Sequence, residues 1–118
     1  MFEKDLRMGY LLDFYGEMLP DRTKDMMKQY YEDDLSLAEI AEMEGITRQG
    51  VRHTIKKGEL ALLNLEERLQ LAQRFTALAS LAQEIKEDAT LLAAHENEAV
   101  KERAERILNA ARKIEADL

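Results

Sequence analysis

The chain has 118 residues, 46% apolar and 35% charged, with no cysteine and a net charge of −7. That is enough chain for one working core, and the missing cysteines exclude disulfides, thiolate nucleophiles and cysteine-ligated metals. No apolar run approaches the roughly 20 residues of a membrane span, and MFEKDLRMGY at the start carries acids where a secretory signal is apolar. A cytoplasmic protein without membrane insertion is expected. One proline and five glycines leave little turn material. Strong helix formers dominate from position 59 onward, so the fold class is all-α.

The first helix is predicted from about Asp5 to Met18, with Leu6, Tyr10, Phe14 and Met18 as its apolar stripe and Leu11 and Tyr15 beside them. Pro20 breaks it and suits the first turn of the next. A second helix follows from about Asp21 to Glu32, burying Met27, Tyr30 and Tyr31 with Met26 adjoining. Six of the seven aromatics precede position 32, which puts the bulky core here.

Ser36 to Lys57 forms the organising stretch. Ser36 with Glu39 three residues on makes a capping box, and Leu37, Ile40, Ala41 and Met43 are expected to point inward. Gly45 supplies the left-handed turn, Ile46 plugs the corner, and Thr47 caps a second helix that buries Val51 and Ile55. This is a helix-turn-helix pattern. Its second helix exposes Arg48, Gln49, Arg52, His53, Lys56 and Lys57, side chains suited to base edges and phosphates. Residues 36–58 hold four basic and three acidic side chains, while 1–35 hold five against nine and 59–118 eight against twelve. Nucleic-acid contact would therefore be local, because the chain as a whole is acidic.

From Val51 onward the apolar positions fall into heptad blocks. Val51, Ile55, Leu62, Leu65 and Leu69 form the first, with Gly58 as its small member. Leu71, Phe75, Leu78, Ala82, Ile85, Ala89 and Leu92 form an unbroken seam, and Val100, Ala104, Ile107, Ala111, Ile114 and Leu118 form the third. A phase slip predicts a kink near Gln70 to Gln73, and His95-Glu96-Asn97 predicts a helix–helix turn. At 1.5 Å per residue, 71–92 spans roughly 33 Å, more than the aromatic core can cover. The seam must meet another helix, in the same chain or in a second subunit, and a homodimer is expected. The resulting division is residues 1–70 as a helical domain with its helix-turn-helix at 36–57, and 71–118 as a helical hairpin or dimerisation extension.

No residue set suggests catalysis. His53 and His95 have no nucleophile in register, there is no glycine-rich phosphate loop, and Asp33-Asp34 and Glu96 with Glu98 read as capping or solvated acids. No enzyme activity, metal or cofactor is expected. DNA or structured RNA is the expected partner. The alternative is a protein-interaction module that docks through the same helix-turn-helix, supported by the heptads and the acidic balance.

Leu35-Ser36-Leu37-Ala38-Glu39-Ile40-Ala41, Gly45-Ile46-Thr47-Arg48-Gln49-Gly50-Val51 and Ile55-Lys56-Lys57 resemble region 4 of bacterial sigma factors. More closely, the arrangement resembles the YlxM family of small helix-turn-helix proteins. That likeness includes Leu12-Asp13-Phe14-Tyr15 and the segment from Tyr30-Tyr31 to Asp33-Asp34-Leu35, hence about the first 70 residues. The family is usually encoded beside signal recognition particle components. The resemblance therefore implies a part in that pathway or its regulation, alongside DNA or RNA binding, and carries over no catalytic residue. Glu44 departs from the apolar residue usual before the turn glycine, with Met43 expected to fill the gap.

Overall fold

The computed structural model describes residues 4–118. Phe2, among the aromatics assigned to the core, lies outside them. The described residues form six α-helices and one short 3-10 turn: α1 (Leu6–Tyr15), the turn Gly16–Met18, α2 (Asp21–Tyr31), α3 (Leu37–Glu44), α4 (Arg48–Leu69), α5 (Leu71–Ala93) and α6 (Glu98–Asp117). The chain divides into two compact units, one ending at Ala72 and the other spanning Gln73–Leu118.

In the first unit, α4 is the axis: α1, α2 and α3 all pack against it. The core joins Leu11, Leu12 and Tyr15 of α1, Met26 and Met27 of α2, Ile40 and Ala41 of α3, and Val51, Ile55 and Leu62 of α4. The expected stripe on α1 is corrected. Leu6 is 90% exposed and Met18 63%, whereas Met8, Leu11, Leu12 and Tyr15 are buried. Steps of four on a helix of 3.6 residues per turn drift by about 40° each, which carries Leu6 off the buried face, and Met18 lies beyond the helix, which ends at Tyr15 and not at the expected Met18. Met8, Leu11, Leu12 and Tyr15 follow the i, i+3, i+4, i+7 pattern that does.

Where α4 gives way to α5, Gln70 adopts a left-handed φ of 55°. The corner is tied to α1. Tyr15 Oη donates to Glu66 Oε1 at 2.6 Å and accepts from the Leu71 N–H at 3.0 Å, and the same carboxylate oxygen accepts from the Ala72 N–H at 3.1 Å. Two N–H groups at the start of α5 are thus satisfied, and a carboxylate sits where the helix dipole favours it. These bonds place Leu71 and Ala72 with the first unit.

Burial, and then hydrogen bonding to Glu66, raises the Tyr15 hydroxyl above its ordinary value of 10.0. Burial, and then Glu59, does the same to Tyr31. An unfolded tyrosine ionises near 10, so the stability these groups contribute is intact below that pH. It is lost as pH rises through the higher folded values. A melting-temperature series should be level through pH 9 and fall above pH 10, with a shallower alkaline decline in the Tyr15→Phe/Tyr31→Phe double variant.

In the second unit the turn at 94–97 folds α6 back along α5, and Asn97 Oδ1 caps α6 by accepting from the Ala99 and Val100 N–H groups. Ala82 and Ala89 of α5 and Ala104 and Ala111 of α6 are almost fully buried. Lys86 Nζ meets Glu115 Oε2 at 3.1 Å across the pair. The predicted seam is rotated by part of a turn. Ala82 and Ala89 face inward and Phe75 is partly buried, but Leu78, Ile85 and Leu92 are 49%, 43% and 47% exposed, and Leu71, in the first unit, is 47% exposed. Ala79, Lys86 and Ala93 are the more buried alternates. Alanines fill the contact between the two helices, and the larger side chains are left at its edge.

Candidate nucleic-acid interface

The helix-turn-helix is built from local bonds. Ser36 Oγ accepts from the Glu39 N–H at 3.1 Å while Glu39 Oε1 accepts from the Ser36 N–H at 3.2 Å, the reciprocal capping box. Gly45 takes φ 69°, where a Cβ would be strained, and the Ile46 N–H donates back to the Ala41 carbonyl at 3.1 Å. That bond closes α3 in the manner of a Schellman turn. Thr47 Oγ1 then caps α4 by accepting from the Gly50 N–H at 3.0 Å. A Cβ on Gly50 would stand 3.2 Å from Thr47 Oγ1 and 3.5 Å from Ile46 Cδ1. The glycine therefore fits the turn beneath it.

Met43 does not point inward: it is 65% exposed. Glu44 fills no apolar gap either; its carboxylate accepts from Gln29 Nε2 at 3.0 Å and fastens the end of α3 to α2. A polar residue at that place is thus explained by a polar partner on the neighbouring helix.

The second helix of the motif runs unbroken through Gly58, as the continuing heptad implies. The glycine is required by contact. A Cβ there would lie 2.3 Å from Met27 Sδ and 2.9 Å from Thr23 Cγ2, so α2 crosses α4 at this point. Val51 and Ile55 anchor the inner face, both nearly inaccessible.

Arg48, Gln49, Arg52, His53, Lys56 and Lys57 are all exposed. Among the described residues none of their side chains has a hydrogen-bond or ion-pair partner. The structure divides them into two groups. Arg48, Arg52 and Lys56 line a cleft of about 740 Å³, floored by Ile55 and walled by the start of α3 and by Tyr30 and Tyr31 of α2. Gln49, His53 and Lys57 stand outside that cleft. Three cations therefore lie beside the start of α3, where the Leu37 and Ala38 N–H groups are left outside the capping box, at the end of a helix that attracts anions.

Sequence reasoning missed Lys4. Its ammonium donates to the Tyr30 carbonyl at 2.6 Å and the Leu35 carbonyl at 2.8 Å, pairs with Asp34 at 3.2 Å, and lies 3.9 Å from the Tyr30 ring centroid. It closes the end of α2 and holds the segment leading into α3. Tyr31 Oη bonds Glu59 Oε1 from the opposite wall, linking α2 to α4. No local pattern announces either contact, since the partners are 26 to 31 residues away.

An all-α chain with a capped helix, a left-handed glycine turn and an exposed, unpaired basic face on the second helix is a helix-turn-helix protein. A family model described as "Putative helix-turn-helix protein, YlxM / p13 like" matches residues 2–103, and the chain belongs to this family, UPF0122. A UPF0122 protein of Halalkalibacterium halodurans is 42% identical over 87 residues, covering 74% of this chain and 80% of the relative. One of Shouchella clausii is 41% identical over 86 residues, 73% and 79% of the two chains. One of Bacillus cereus is 39% identical over 115 residues, 98% of this chain and 100% of the relative. The likeness thus reaches well past residue 70, into the hairpin.

Proposed function

We propose that the protein is a non-catalytic regulator that binds DNA or structured RNA through the face made by Arg48, Gln49, Arg52, His53, Lys56 and Lys57. The observation that carries this reading is that all six side chains are exposed and unpartnered in a chain rich enough in acids to neutralise them. Arginine can hold guanine O6 and N7, glutamine adenine N6 and N7, and lysine phosphate. The α3 start adds backbone donors for a phosphate.

Binding through four cations has a measurable signature. Counterion release gives log K against log salt a slope of about −3.6, so affinity should fall roughly 150-fold between 50 and 200 mM salt. Fluorescence anisotropy with labelled duplex DNA and hairpin RNA measures it, and a salt-independent signal removes the reading.

We place this activity in the cytoplasm and in the signal recognition particle pathway, a setting that the YlxM resemblance supports. A pull-down of the intact protein from lysate, with and without nuclease, tests that setting. Recovery of the particle's protein or RNA supports it, and genomic DNA fragments alone favour a transcription regulator.

One observation favours a second reading, a protein-docking module. The cleft carries Lys4, Arg48, Arg52 and Lys56 but also Asp5, Asp34, Glu39 and Glu59. A balanced, tyrosine-walled cleft suits a peptide of mixed charge better than a polyanion. Nuclease-resistant capture of a protein, abolished by Arg52→Ala, is the outcome this reading expects.

A further inference from the structure

The hairpin closes on its alanines and leaves its large side chains outside, in a regular arrangement. On α5, Ile85 stands three residues after buried Ala82 and four before buried Ala89. On α6, Ile107 stands three after buried Ala104 and four before buried Ala111. The rotational offset from the seam is the same in both helices. Because the helices run antiparallel, equal offsets turn both rows to the same side. Leu78, Ile85 and Leu92 of α5 and Ile107 and Ile114 of α6 therefore share one face, each between 43% and 49% exposed.

One row further out on α5, again at seven-residue steps, come Arg74, Leu81 and Asp88. All three are exposed, Leu81 at 54%. This row begins in a cation and ends in an acid, about 21 Å apart along the helix. Laid against its own copy running the other way, it sets Arg74 against Asp88 at both ends with Leu81 at the centre. That is the self-complementarity a two-fold interface requires. A polyanion gains nothing from such a row.

The area agrees. A standard interface buries roughly 800 Å² per partner, about two-thirds of it apolar in homodimers. Six aliphatic side chains about half exposed supply on the order of 500 Å².

We infer that this face of the α5–α6 hairpin binds a second copy of the chain, with the two α5 helices antiparallel and Leu81 at their crossing. The interface is not the full heptad seam read from sequence, since Ala82 and Ala89 are buried within the hairpin.

Sedimentation equilibrium of the full-length protein at micromolar concentration tests the inference, with circular dichroism to verify that each variant keeps its helices. The wild type is expected to sediment at twice the chain mass. Leu81→Glu should raise the dimer dissociation constant at least a hundredfold without loss of helicity, since Leu81 is exposed within one copy. Arg74→Asp should raise it about tenfold, and Arg74→Asp with Asp88→Arg should restore it. A monomer up to high micromolar concentration overturns the inference. So does a dimer that neither Leu81→Glu nor Arg74→Asp weakens, or a double reversal that fails to restore it.

Discussion

Gly58→Val is expected to destabilise the first unit by about 3 kcal/mol or more, the upper end for overpacking a buried site. The cause is steric. The first atom of any side chain at 58 falls 2.3 Å from Met27 Sδ and 2.9 Å from Thr23 Cγ2. Met27 is wholly inaccessible and has little room to swing aside. Valine adds two further carbons to that clash. Alanine separates the contributions: it recovers up to ~1 kcal/mol of helix propensity but still meets Met27, so a net loss of about 1–2 kcal/mol is expected. Urea unfolding followed by circular dichroism measures both. Pairing Gly58→Ala with Met27→Ala should cost less than the two single changes combined, by more than about 0.5 kcal/mol. A Gly58→Ala protein more stable than wild type would show that the crossing is loose.

The second large effect concerns binding. Arg48→Ala with Arg52→Ala should weaken nucleic-acid affinity by about 2–6 kcal/mol, if each arginine contributes as a bidentate base contact does. Both side chains are exposed and unpartnered, so unfolding stability should stay within about 0.5 kcal/mol of wild type. Lys57→Ala is the contrasting variant. Lys57 lies outside the cleft that Arg48 and Arg52 line, and its loss should reduce the salt slope by about one with no change in sequence preference. Retained affinity in the double arginine variant would move the binding surface elsewhere on the molecule.

What could be read from sequence follows the range of the interactions involved. The motif's caps and turn were legible because each is closed within about five residues: Ser36 with Glu39, Gly45 with Ala41 behind it, Thr47 with Gly50. The break at Gln70 and the turn before Asn97 were legible as interruptions of a long period. Faces were harder. Leu6 shares a four-residue step with Tyr10 and Phe14, yet the drift of that step carries it to solvent, and Met18 falls past the end of the helix. In the hairpin, Leu78 and Ala79 differ by one position, and size sets which goes inside. A pattern of apolar letters favours the leucine, whereas the contact between the two helices takes the alanine. Contacts set by distant residues left no trace at all. Lys4 finds its carbonyls only after α1 and α2 have packed, and nothing beside Glu44 reveals Gln29. Gly58 was visible as an oddity in a strong helix, but its reason lies on α2.

The unbroken course of α4 has a consequence for assay design. Its outer face presents the cations, and its inner face is the post around which α1, α2 and α3 assemble. Whatever grips Arg48 and Arg52 therefore clamps the piece of chain on which the whole first unit depends. Occupancy and resistance to unfolding are then coupled by mass action: a ligand at a hundred times its dissociation constant adds about 2.7 kcal/mol. Candidate oligonucleotides and peptides can be ranked by the upward shift they cause in the melting curve of unlabelled protein.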